Sequence, residues 1–233
     1  ILGALLGTLM GSINGLLITK MHLQPFIATL GTMSVYRGVA YVVTGGWPII
    51  GIPNSYRYIF ISNLSEIPSS VIVMLIFAFI THIILKKLRI GNYLFAIGGN
   101  EEAAKLSGVN VNITKITAYA MCGLGSALAG MIMLANLGTA EPATGQGYEL
   151  EAIAETLAKE GANRIDWASL SGGKGSIVGT LLGAILLASL KIGLIVIGVD
   201  TFYQFIVTGA IIVIAAYFET IQKKLSALLV KKD

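Results

Sequence analysis

Two histidines, one cysteine and twelve carboxylates are the side chains best suited to bind a metal or to pair with a nucleophile as its base in these 233 residues, and their spacing is unfavourable to both. His22 and His82 stand alone, with no carboxylate or second histidine at metal-ligand spacing. Cys122 sits inside an apolar stretch, which excludes an intramolecular disulfide and a cysteine-built metal site. No Asp or Glu falls deep in an apolar run, and no nucleophile and base pair stands out. The sequence therefore predicts neither an enzyme nor a metal or cofactor site, and it argues against a carrier built around a membrane carboxylate.

The groups that do invite a function lie elsewhere. Gly98-Gly99-Asn100-Glu101-Glu102-Ala103-Ala104-Lys105-Leu106-Ser107-Gly108-Val109-Asn110 reads as a short, sharply bounded helix. Asn100 suits an N-cap, Glu101 and Glu102 suit the positive end of the helix dipole, and Gly108 suits a left-handed stop. Glu101 and Lys105 stand at i,i+4. Arg37 falls in mid-helix in an apolar stretch; a structural partner and a place on a substrate path are both open to it. Lys191 also interrupts an apolar run, where snorkelling to an interface is the plainer reading. Asn14, Gln24, Thr29 and Asn136 are polar residues in or beside apolar runs that could touch a solute or bridge helices.

These groups are carried by membrane-spanning elements. The chain is 55% hydrophobic and 12% charged, with mean hydropathy +0.80, whereas about a quarter of a soluble domain is charged. Runs long enough to cross a bilayer lie at Ile1–Thr19, Pro25–Val43, Ile67–Leu85, Ile116–Leu137, Ser176–Val199 and Thr201–Phe218. The expected fold is an all-α, polytopic transmembrane bundle forming a single domain over 1–233. Because Ile1 already lies in an apolar run with no leader before it, the chain reads as a fragment lacking upstream helices.

The net charge of +4 is concentrated in connections beside the apolar runs, a membrane pattern and not a nucleic-acid one. The connection 86–115 carries Lys86, Lys87, Arg89, Lys105 and Lys115 and is placed in the cytoplasm. Lys20 and His22 fall on that side, and 44–66 falls outside. Three further crossings would put Lys223, Lys224, Lys231 and Lys232 outside against the same rule. The basic tail is therefore placed inside, which requires something between Gly138 and Lys174 to cross or re-enter; the amphipathic stretch Tyr148–Lys159 is too polar to cross lipid unaided, so that route is open. Gly3, Gly7, Gly11 and Gly15 line one face of the first run, with Gly179 and Gly183 repeating the spacing later, and both predict close helix contacts.

Glu102-Ala103-Ala104, three residues, then Gly108 resembles the cytoplasmic loop of permease subunits of bacterial ATP-binding-cassette importers. The wording of Gln24–Leu30, Arg37-Gly38, Gly98–Asn110, Gly147–Leu150 and Leu170–Gly175 is similar to the monosaccharide branch, the ribose, galactose and xylose type, with autoinducer-2 permeases nearby. The resemblance covers nearly the whole chain, apart from Glu155–Trp167, which is more polar here, and Lys191, where the family tends to have a neutral polar residue. It implies alternating access in a bacterial inner membrane, and a coupling helix that docks on a separate ATP-binding subunit. It also implies an external sugar-binding protein, a second permease copy or homologue, and no covalent chemistry. Leu170-Ser171-Gly172-Gly173 imitates the signature of the ATPases themselves, but the chain contains no phosphate-binding Gly-x-x-x-x-Gly-Lys loop. A secondary transporter or channel working without ATP is the competing class.

Overall fold

In the computed structural model, residues 1–61, 63–64, 67–149, 151–152 and 176–198 are described. They belong to two compact units, one made of 1–94 and 101–145, the other of 95–100 with the residues from 146 onward. Thr201–Phe218, most of Tyr148–Lys159, the Leu170–Gly175 motif and the basic tail lie outside the described residues.

In the first unit, α1 (Leu2–Lys20), α2 (Pro25–Thr44), α4 (Ser69–Lys87) and α7 (Val111–Leu137) are long and apolar enough to cross a membrane. Nineteen or twenty residues at 1.5 Å each reach about 30 Å, the hydrocarbon thickness. Each coincides with an expected run. The exception in length is α7, whose 27 residues begin at Val111 and not at Ile116, because Asn110 caps the helix by accepting the Ile113 amide at 3.2 Å. Those extra turns carry Lys115 beyond the apolar section.

The glycine face of α1 packs antiparallel on α7. A Cβ built on Gly15 would lie 2.7 Å from the Ile116 Cα, one on Gly7 2.6 Å from the Gly123 carbonyl oxygen, and one on Gly3 3.2 Å from the Met131 sulfur. Only hydrogen at these positions lets the backbones meet, and the resulting contact replaces the hydrophobic drive that lipid removes. The small core reflects this: Ile18, Ala28, Ala104, Val111 and Ala135 are buried, while most large apolar side chains face outward. α2 lies beside α1, with the Tyr36 hydroxyl donating to the Met10 carbonyl at 3.2 Å. Phe77 of α4 meets α7 at Gly125.

The two ends of this unit differ in kind. At one end, the connection between α2 and α4 holds β1 (Ile49–Ile50), α3 (Asn54–Ile61) and the hairpin of β2 (Asn63–Leu64) with β3 (Ile67–Pro68). β1 pairs antiparallel with β4 (Thr139–Ala140), so the connection expected outside is joined to the chain just after α7. α3 also seals the end of α7: the Tyr56 hydroxyl donates to the Met131 carbonyl at 2.9 Å and Arg57 Nε to the Ala135 carbonyl at 3.2 Å. The Ala135 carbonyl lies in the last turn without an intrahelical donor, and a cation there also complements the helix dipole; the Met131 carbonyl, one turn earlier, takes the Tyr56 hydroxyl as an additional donor. The opposite end gathers the basic residues described below.

After Leu88, the chain enters α5 (Arg89–Gly99), then α6 (Glu101–Leu106). Sequence patterning foresees α6 but not α5. In the second unit, α8 (Ile177–Val196) is the fifth helix among the described residues able to span a membrane. Lys191, its one charged residue, donates from Nζ to Glu151 Oε1 at 2.6 Å.

Candidate functional site

Gly98 and Gly99 form the last turn of α5, and the Asn100 amide donates to the Ala96 carbonyl at 3.0 Å. They end one helix, where the sequence reading puts them at the head of the Gly98–Asn110 segment capped by Asn100. α6 then runs from Glu101 through Glu102, Ala103 and Ala104 to Leu106, and Gly108 ends it with φ +85°. Gly108 N–H donates to the Lys105 carbonyl at 3.1 Å and Val109 N–H to the Ala104 carbonyl at 3.1 Å, which satisfies orphan carbonyls at the helix end.

Six residues cannot hold a helix unaided, and α6 is held from outside itself. Ala104 is buried at 4% exposure. Glu101 Oε2 accepts from Lys115 Nζ of α7 at 2.6 Å. The i,i+4 pairing of Glu101 with Lys105 expected from spacing is thus not the ion pair that forms; Lys115, fourteen residues along the chain, takes the carboxylate. Glu102 and Lys105 are exposed, and Leu106 is 90% exposed. Sequence reading passed over Leu106 as an ordinary apolar residue of a short helix. Its signal is positional, an exposed leucine on an anchored helix outside the membrane-spanning sections.

Beside α6, a cleft of about 680 Å³ opens between the α1–α2 turn and the start of α7, lined in part by Thr19, His22, Lys105, Asn110 and Asn112. His22 adopts φ +54°, the left-handed region that few non-glycine residues enter. The turn expected beside Lys20 and His22 therefore shares one end of the unit with 101–115.

The expected solute-contact residues do not gather into one site. Thr29 returns its hydroxyl to the Pro25 carbonyl at 2.9 Å and the Phe26 carbonyl at 3.2 Å. Gln24 sits in extended backbone just before α2, and Asn136 is exposed near the far end of α7. Asn14 Oδ1 is buried with no partner among the described residues. Arg37 is half-buried on α2. Among the described residues, no group of histidine, cysteine or carboxylate side chains could hold a metal ion.

Membrane-crossing helices held together through glycines, with an anchored helix at one end, define an integral membrane protein, and similarity to known proteins gives its class as a transport subunit. Residues 1–216 match the family model described as branched-chain amino acid transport system / permease component, and the chain belongs to that family. It is an all-α, multi-pass protein of the inner membrane and not an enzyme. It is 43% identical over 208 residues to a ribose import permease of Bacillus subtilis, covering 88% of this chain and 62% of that protein. A ribose import permease of Escherichia coli K12 is 41% identical, with 90% and 64% covered. A D-allose transport permease of the same strain is 33% identical, with 95% and 66% covered. The chain thus spans about two thirds or slightly less of the length of these relatives. No solved structure matches it.

Proposed function

We propose that the chain is the membrane-spanning part of an ATP-driven importer for a small, ribose-like sugar, with α6 as the helix that couples it to a separate ATP-binding subunit. The observation that carries the coupling reading is the exposure of Leu106, together with Glu102 and Lys105, on a helix anchored by Ala104 and by the Glu101–Lys115 pair. Leaving a leucine 90% exposed to water on a helix whose other face is fixed has a physical rationale if a partner's groove covers it. The naming of the relatives for ribose and allose supports the sugar.

ATP binding and hydrolysis in the partner would push on α6, and through Lys115 on α7, which packs along α1. The bundle, paired with a second permease copy or homologue and surrounded by lipid, would alternate between outward and inward access. An external sugar-binding protein would deliver the solute. Asn14, Gln24, Thr29, Arg37 and Asn136 are the proposed path residues; Arg37 and Asn14 are favoured, as a half-buried intramembrane cation and a buried acceptor without a described partner.

The test is co-purification of the full-length subunit with its ATP-binding partner in detergent. Leu106→Ala, Glu102→Arg and Gly108→Pro should each lose the partner while keeping wild-type membrane levels. Equal capture by all three would remove α6 from the interface, and no capture by the wild type would move an ATP-independent carrier ahead.

A further inference from the structure

The pairing of Lys191 with Glu151 bears on a question that charge counting leaves open, the direction in which α8 crosses. Lys191 is the single charged residue in a helix of mean hydropathy 2.1, fourteen positions after Ile177 and five before Val196. At 1.5 Å per residue it stands about 21 Å from the first end and about 7.5 Å from the second. Its ammonium and the Glu151 carboxylate meet at 2.6 Å, with side chains 42% and 30% exposed.

We propose that Glu151 and Lys191 enter the bilayer as an ion pair that fastens the segment around Glu151 to the outer third of α8, so that α8 rises from the cytoplasmic side to the outer side. Ten residues of chain lie between Glu151 and Ala140, whose strand pairs with β1 in the connection that charge places outside. If α8 rises outward, Glu151 needs to enter only about 7.5 Å to reach Lys191. If α8 descends inward, Glu151 has to travel about 21 Å into hydrocarbon, with Glu149 two residues behind it, and the cost of a charge grows toward the bilayer centre. The flanking charges agree with the first direction: Lys174 precedes the helix and Asp200 follows it. A lone lysine at this depth would have to snorkel. A carboxylate within hydrogen-bond distance neutralises it in place and makes the departure from a neutral side chain tolerable.

Two measurements on the full-length subunit test the inference. With Cys122→Ser as background, single cysteines at Ser176→Cys and Ile197→Cys are probed with a membrane-impermeant maleimide. Ile197→Cys should label in intact spheroplasts, and Ser176→Cys only after permeabilisation; the reverse pattern overturns the direction. Separately, Glu151→Gln should lower the membrane level about tenfold by leaving Lys191 unpaired, and the exchange Glu151→Lys with Lys191→Glu should return it to within about twofold. A wild-type level for Glu151→Gln, or an exchange no better than the single change, would show that the two charges do not act as a pair.

Discussion

Replacing Gly11 by alanine tests whether the α1–α7 seam holds the first unit together. The added Cβ would stand 3.0 Å from the Tyr119 carbonyl carbon and 3.1 Å from the Gly123 Cα, and closer still to the Tyr119 carbonyl oxygen. All three are backbone atoms of α7, so no rotamer change relieves the contact. Carbon atoms pack best at about 3.5–4.0 Å and the closer carbonyl oxygen sets the larger requirement, so the helices must part by roughly 1 Å, enough to forfeit up to about half of the dispersion well along the seam. Overpacking of this kind costs about 1–3 kcal/mol, a fall of roughly 2–12 °C in melting temperature for a protein of this size. The control uses the same substitution where space is open: a Cβ on Gly38 of α2 meets nothing within 4 Å. There the change should be neutral or stabilising by up to about 1 kcal/mol, from helix propensity alone. Thermal unfolding of the detergent-solubilised subunit is the assay. Gly11→Ala melting at or above Gly38→Ala would refute the reasoning, because both gain the same propensity and only one should meet a backbone.

Other perturbations separate folding from coupling. Arg57→Ala removes the donor on the Ala135 carbonyl and should cost about 1.5–3 kcal/mol, the range for a hydrogen bond to a charged group, read as a lower melting temperature. Tyr56→Phe should cost about 0.5–1.5 kcal/mol by the loss of its bond to Met131. Burial raises the Tyr56 phenol above its ordinary value of 10.0, so its contribution is complete below that pH and is lost as pH rises through the folded-state value. An alkaline melting series should show a smaller loss in Tyr56→Phe than in the wild type. Glu101→Ala breaks a pair whose partners are 52% and 26% exposed and should shift stability by less than about 1 kcal/mol, measured by the same melt.

The spanning helices were legible because a run of about 20 apolar residues has few other uses, and the α1 glycines were legible because four-residue spacing puts them on one face. What escaped was information carried between elements. Nothing near Glu101 in the chain distinguishes Lys105 from Lys115 as its partner, and the choice is made only when α6 folds back on α7. Glu151 and Lys191 are 40 residues apart, so the sequence shows an isolated lysine where the fold has a neutralised one. α5 has no counterpart in the sequence reading, which assigns Gly98 and Gly99 to the Gly98–Asn110 segment, whereas both complete the last turn of α5. Leu106 is the reverse case: its type suggests burial, and only its exposure marks it as available to a partner.

The antiparallel seam between α1 and α7 has a consequence for biosynthesis. Gly123, which meets Gly7 and Gly11, is translated more than a hundred residues after them. At roughly 5–20 residues per second, α1 resides in the membrane for several to some twenty seconds before its partner emerges. Through that interval its bare glycine face is open to any other close-packing helix in the bilayer. The newly made subunit is therefore most vulnerable to mispairing during translation, in the period that ends when α7 arrives.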